Sequence, residues 1–131
     1  MKDIKAISKY NTTVTDEEIE NGLMDDSGVI YSPDGKRLLQ MSLFGRKPKS
    51  YTIKDGTEII CDDAFINCKS LESIVLPDAV THIGDYAFSG CESLKSVIFP
   101  NSVTHMGDRV FDCKSLQSIV LPKSVEFIGK V

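Results

Sequence analysis

Apolar residues return along the second half of this chain at a fixed interval. Ala64-Phe65, Ala87-Phe88 and Val110-Phe111 stand 23 residues apart, and the stretches between them agree. They read Ser70-Leu71-Glu72-Ser73-Ile74-Val75-Leu76-Pro77, Ser93-Leu94-Lys95-Ser96-Val97-Ile98-Phe99-Pro100 and Ser115-Leu116-Gln117-Ser118-Ile119-Val120-Leu121-Pro122. A period in the twenties marks a solenoid, in which each unit buries its apolar face only against its neighbours. Within a unit, Ile74 and Leu76 alternate with Ser73 and Val75. That alternation predicts a short strand with 74 and 76 turned inward and 73 and 75 outward. Leu71, Leu94 and Leu116 enter the core through the bend ahead of each strand, and the prolines end the strands by removing a donor. A second apolar pair follows at a spacing of three: Val80/Ile83, Val103/Met106, Val125/Ile128. It suits a turn or short irregular strand on the opposite wall. Gly84-Asp85-Tyr86-Ala87-Phe88 then closes the unit and is echoed by Gly107-Asp108-Arg109-Val110-Phe111. Asp85 is placed to cap one helical turn by accepting from the N–H of Ala87 or Phe88. Phe65, Phe88 and Phe111 form an interior column. The third unit is a residue short between Phe111 and Leu116, where a loop belongs.

Ahead of the repeats the pattern changes. Val29-Ile30-Tyr31 and Arg37-Leu38-Leu39-Gln40-Met41 read as a hairpin joined by Ser32-Pro33-Asp34-Gly35-Lys36, with Pro33 presetting φ and Gly35 free to take positive φ. A basic loop runs from Phe44 to Ser50. Tyr51-Thr52-Ile53-Lys54 aligns with Ile74-Val75-Leu76-Pro77, so a partial repeat begins near residue 51. Thr15-Asp16-Glu17-Glu18 fits a capping box, predicting a short helix from Asp16 toward Asn21 that Gly22 ends. The expected divisions are a segment at 1–27, a hairpin cap and basic loop at 28–50, and repeats at 51–131. Val125, Ile128 and Gly129 start one more unit, which stops at Val131 before its Ala-Phe pair. The expectation is an under-covered C-terminal coil that self-associates, or that further repeats cover in a longer protein.

Composition narrows the function more than the fold. Of 131 residues 41% are hydrophobic and 26% charged, ordinary for a soluble domain, and the net charge of −4 gives no overall electrostatic case for nucleic acid or a bilayer. Met1-Lys2-Asp3-Ile4-Lys5 opens no apolar run of signal-core length. Localisation therefore stays open between an intracellular protein and a mature or excised form.

The recurring residues resemble the BspA-like leucine-rich repeats, whose unit reads roughly C-x-x-L-x-x-I-x-L-P, a few turn residues, then V-x-x-I-G-x-x-A-F. Here that is Cys91-Glu92-Ser93-Leu94, Val97, Phe99-Pro100, Val103, Met106-Gly107 and Val110-Phe111. The match runs over about 51–131, and Gly28 to Leu39 is similar to the hairpin that precedes such repeats. The resemblance implies a repeat solenoid: a β-rich, right-handed, leucine-rich-repeat-like coil with a short parallel sheet on one face, plus an N-terminal β-hairpin. It also implies adhesion or protein binding at a cell surface or in secreted form, and no catalytic residues.

Candidate chemistry is weighed against packing. Cys68, Cys91 and Cys113 recur with the repeat, while Cys61 aligns with Gly84 and Gly107. Coils about 4.8 Å apart bring Cys68 and Cys91 within disulfide range, yet stacked side chains pointing one way rarely reach S–S geometry, so buried reduced thiols are expected. His82 and His105 align one coil apart, but Phe127 holds the third position, so a stacked ladder is expected and no metal site. Asp62, Asp85 and Asp108 form an acidic column that either caps turns or holds a cation. Six acids and no base lie between Asp16 and Asp26; six bases and no acid lie between Lys36 and Lys54. No GxSxG, HExxH or phosphate-cradling glycine loop occurs. The reading is a non-enzymatic protein-interaction module without cofactor, using the outward strand positions Ser73, Val75, Ser96, Ile98, Ser118 and Val120. The alternatives are a glycan- or anion-binding surface built from Lys36, Arg37, Arg46, Lys47 and Lys49, and a structural fragment of a longer repeat array.

Overall fold

A computed structural model describes residues 11–42, 47–117 and 119–131. Among the described residues one short helix, α1 (Asp16–Asn21), is followed by ten short strands: β1 (Leu23–Met24), β2 (Val29–Tyr31), β3 (Arg37–Met41), β4 (Ser50–Thr52), β5 (Ile59–Ile60), β6 (Ser73–Val75), β7 (His82–Ile83), β8 (Ser96–Ile98), β9 (His105–Met106) and β10 (Phe127–Ile128). They form a β-solenoid of about four turns. One wall is a three-stranded parallel sheet, β4-β6-β8. The other is a seven-stranded sheet ordered β1-β2-β3-β5-β7-β9-β10, parallel from β3 onward. The apolar pairs spaced by three thus make a continuous second sheet, longer than the wall the alternation marked out.

The hairpin is the first rung of that second sheet. The Gly35 N–H donates to the Ser32 carbonyl at 2.8 Å with Gly35 at φ 74°. β3 then runs parallel to β5, with Arg37 beside Ile59 and Leu38 beside Ile60. β1, two residues long, carries no period by which the sequence announces it; it pairs antiparallel with β2.

The core lies between the two walls. Phe65, Phe88, Ile60, Ile74, Ile83, Leu71 and Leu94 are fully buried. Phe65 and Phe88 stack with centroids 5.3 Å apart and planes 7° from parallel; Phe88 and Phe111 repeat this at 5.3 Å and 2°. The first coil closes the column with Tyr51, tilted against Phe65 at 5.8 Å. The Lys54 N–H donates to the Tyr31 hydroxyl (3.1 Å), Tyr31 lies 2.6 Å from the Tyr51 hydroxyl, and Tyr51 donates to an Asp25 carboxylate oxygen at 2.5 Å. Burial holds both phenols above their usual pKa, so they remain donors through this chain of bonds.

The N-terminal segment covers the outside of the second sheet at one end. Thr15 and Glu18 complete the capping box, and Arg37 binds the Glu18 carboxylate and the Thr13 carbonyl. Val14 and Ile19 pack over Ile30, Leu39, Ile59 and Cys61. The column beginning at Ile59 continues outward-facing through His82, His105 and Phe127 beyond the helix.

The aspartate column works differently from the expected cap. The Asp62 Oδ1 accepts from the Asp85 N–H, Asp85 from the Asp108 N–H and Asp108 from the Lys130 N–H, each at 2.8 Å. Each carboxylate therefore ties its coil to the next. The residue after each aspartate, Asp63, Tyr86 or Arg109, is left-handed at φ 59°, 57° and 47°. The chain then runs through a tight turn, with the Ser89 N–H donating to the Tyr86 carbonyl at 3.1 Å, and the Phe88 N–H donates to the Val110 carbonyl of the next coil at 3.0 Å rather than to Asp85.

Candidate functional site

The outward positions of the β4-β6-β8 wall fall into two columns. Ser50, Ser73 and Ser96 are register partners, as are Thr52, Val75 and Ile98. Between them Tyr51, Ile74 and Val97 turn inward and pack on the core. Ser73 and Val75 are half-buried and Ser96 exposed, and Ile98 is 57% exposed. Val120 is 88% exposed, but it stands outside the sheet: 119 and 120 form no strand, and Ser118 lies outside the described residues. The one-residue deletion after Phe111 falls just ahead of this segment. The first row, Ser50 and Thr52, was not singled out from the sequence, although the offset of 23 locates both.

One edge of this wall is basic. Lys47, Lys49, Lys69, Lys95 and Lys114 are all exposed along the turns that lead into the strands, interrupted by Glu72 and Glu92. Lys114 approaches Glu92 at 4.0 Å with both side chains largely solvated, so the pair neutralises little. The other basic residues do not join this edge. Arg37 is consumed by Glu18 and Thr13. Lys36, just ahead of β3, accepts through its carbonyl from the Glu58 and Ile59 N–H groups on the second sheet, whereas the Lys49 carbonyl accepts from Glu72 and Ser73 on the β4-β6-β8 wall. Arg46 lies outside the described residues. The anion-binding set Lys36, Arg37, Arg46, Lys47 and Lys49 is thus not gathered into one patch by the residues described.

The remaining candidates are structural. The Cys91 thiol donates to the Phe65 carbonyl at 3.1 Å and the Cys113 thiol to the Phe88 carbonyl at 3.0 Å; none of the four cysteines is in a disulfide. Burial pushes the Cys61 thiol up to about 12 and Cys68 to about 11, so neither offers a thiolate at neutral pH. Among the described residues no group of three His, Cys, Asp or Glu side chains converges as a metal site needs.

His82 and His105 stack at 4.2 Å and 12°, and His105 stacks on Phe127 at 4.5 Å. Thr81 and Thr104 hydroxyls lie 2.8 Å from the respective Nδ1 atoms. Burial first, and the neighbouring His105 second, lower the His82 pKa from 6.5 to about 4. The unfolded chain takes up this proton near pH 6.5 and the folded chain only near 4. Stability is therefore fully present above pH 6.5 and drains away as pH falls toward 4. A urea midpoint measured between pH 7 and 4 is expected to fall with acid, and less steeply in His82→Phe, which puts in this column the side chain that Phe127 already supplies. Equal slopes in parent and variant would assign the acid loss to other groups.

The sequence matches the model of the BspA type leucine rich repeat region over residues 42–131, in six copies. Among solved structures, the pneumococcal vaccine antigen PcpA superposes with a TM-score of 0.75 at 23% identity, over 83% of this chain and 27% of that one. A leucine rich cell surface protein from Faecalibacterium prausnitzii gives 0.73 at 30% identity, over 83% and 29%. A leucine-rich repeat protein of T. pallidum gives 0.62 at 27%, over 88% and 53%. This chain thus spans between about a quarter and a half of the length of these relatives. No curated protein matches it significantly. With the family model matching well over half of its residues, and those residues building the coils described above, the chain belongs to the BspA-type leucine-rich repeat family.

Proposed function

We propose that this chain is a non-enzymatic protein-interaction module that uses the outer face of β4-β6-β8 as its contact surface. One observation carries the reading. Val75 and Ile98 form an apolar stripe, Ile98 more than half exposed, on the side of the wall that the core does not use. Buried, such a stripe supplies the apolar centre of an interface; left bare it gains nothing for the fold. The hydroxyls of Ser73 and Ser96 beside it offer hydrogen bonds, and the lysine edge favours a partner with an acidic flank, although the chain as a whole is acidic. The leucine rich cell surface protein from Faecalibacterium prausnitzii is consistent with a binding role at a surface, where partners are encountered.

The test is site-specific photocrosslinking in an extract of the source cells. A crosslinker at position 98 is expected to capture a protein that one at position 109, in the turns, does not. Ile98→Asp is then expected to weaken the complex at least tenfold, and the complex to weaken further with added salt as exposed charge pairs are screened. Capture from position 109 alone, or an affinity indifferent to Ile98→Asp, would sink the reading.

A further inference from the structure

The three-stranded wall is open along its first strand. Strands in this wall bond through alternate residues. The Lys49 carbonyl accepts from the Glu72 and Ser73 N–H groups, and the Ile53 N–H donates to the Val75 carbonyl. Residues 49, 51 and 53 thus direct their backbone groups at β6, and residues 50 and 52 direct theirs the other way. Ser73 and Val75 hold the same places one coil on and turn these groups to β4. Ser50 and Thr52 turn theirs to no strand: among the described residues nothing pairs beyond β4 in its sheet. Both residues are exposed. This edge lies within the sequence, with the hairpin before it and the repeats after it.

From this edge we infer that the chain takes up an extended acidic peptide segment of another protein as an added strand, parallel to β4 in the register that β4 holds to β6. The N–H and carbonyl groups of Ser50 and Thr52 stand at strand spacing to receive it, which is how a sheet edge binds a peptide. Charge selects the peptide. Lys47 and Lys49 lead into β4 and Lys54 follows it; all three are exposed, and among the described residues none of them is in an ion pair. Asp25, which reaches β4 through the Tyr51 hydroxyl, is already bound by that hydroxyl and by the Ser27 and Val29 N–H groups. A second copy of β4 would bring its own three lysines against these, so the edge repels its like. Glutamates at the two ends of an added strand meet them instead. Tyr51 turns inward between Ser50 and Thr52, so the peptide residue opposite it faces the end of the core and is apolar. The site is the edge of the wall and not its outer face. Ile98→Asp is therefore expected to leave it unchanged, and it stands or falls independently of the proposed contact surface.

Amide hydrogen exchange of the intact chain, read by nuclear magnetic resonance, is the test. In the free chain the Ser50 and Thr52 amides are expected to exchange freely, while the Ile53 amide, bonded to Val75, is protected. The probe is a capped peptide with valine at its centre, threonine on either side and two glutamates at each end. At millimolar concentration it is expected to protect both amides. Thr52→Pro is expected to weaken binding at least tenfold and leave the urea midpoint in place, because that N–H makes no bond within the sheet. N-methylation of the peptide's valine, whose N–H faces β4 in this register, removes the contact from the other side and needs no protein variant. Replacing the glutamates by glutamine, or using a capped peptide that copies residues 48–54, is expected to lose most of the binding. Protected Ser50 and Thr52 amides in the free chain would mean that the edge is already taken and would overturn the proposal. So would a peptide that fails to protect them, a folded Thr52→Pro that binds as tightly, a valine methylation without effect, or equal binding by the glutamine or copy peptide.

Discussion

Phe88→Ala lowers the unfolding free energy by about 3–5 kcal/mol, the cost of deleting a buried aromatic ring from a core that cannot collapse around the hole. Phe88 is fully buried and is stacked on both faces, by Phe65 and by Phe111. Its removal therefore opens a cavity that spans two coil interfaces and breaks two ring contacts. In a solenoid each coil is held only by its neighbours, so a void in the middle coil separates the hairpin end from the C-terminal end. Against a total stability of about 5–15 kcal/mol, the variant is unfolded or close to it at 25 °C. Urea denaturation followed by circular dichroism reads the effect. A midpoint equal to the parent's would mean that the phenylalanine column carries no stability.

Gly84→Ala is expected to cost about 3 kcal/mol, at the upper end of what overpacking a close-packed site does. A Cβ at residue 84 would lie 2.3 Å from the Asp62 Oδ1, 2.5 Å from the Asp62 nitrogen and 2.8 Å from the Cys61 carbonyl carbon. Two of those three atoms are backbone, so the coils themselves must move apart. The glycine and the aspartate are one device: the carboxylate bonds the following coil's N–H in the space that a side chain at the glycine would fill. Asp62→Ala alone leaves the Asp85 N–H without its acceptor, at about 1–3 kcal/mol. Combined with Gly84→Ala it should cost less than the two separate losses together, because the clash with Oδ1 is gone. Strict additivity in that double-mutant cycle would show that the glycine and the carboxylate do not share the space.

The same device explains a residue that the repeat pattern alone leaves odd. Cys61 occupies the position of Gly84 and Gly107. The rung beneath it is the hairpin and N-terminal segment, where the Asp62 N–H donates to the Thr12 carbonyl instead of to a carboxylate. With no aspartate below, a side chain is tolerated, and α1 buries it. Periodicity could align the three positions but could not say why the first differs, because the reason lies in what sits under it.

Much of this chain was determined by sequence acting locally. The offset of 23, the alternation around Ile74, the turn chemistry of Ser32-Pro33-Asp34-Gly35 and the capping box at Thr15 each specify structure through residues close to one another in the chain, or through identical residues that must stack on themselves. The fold class, the hairpin, the helix and the phenylalanine column follow from them. Tertiary structure decided everything that depends on which coil lies against which. It sent the aspartates upward into the next coil, where the Asp108 N–H donates to Asp85, while the Phe88 N–H that Asp85 was expected to cap donates to the Val110 carbonyl. It drew Arg37 out of the basic cluster to meet Glu18, and set Lys36 beside the second sheet and Lys49 beside the β4-β6-β8 wall. It aligned lysines from four separate turns into one edge, and left Val120 outside the sheet whose pattern it continues, in the coil that is one residue short after Phe111.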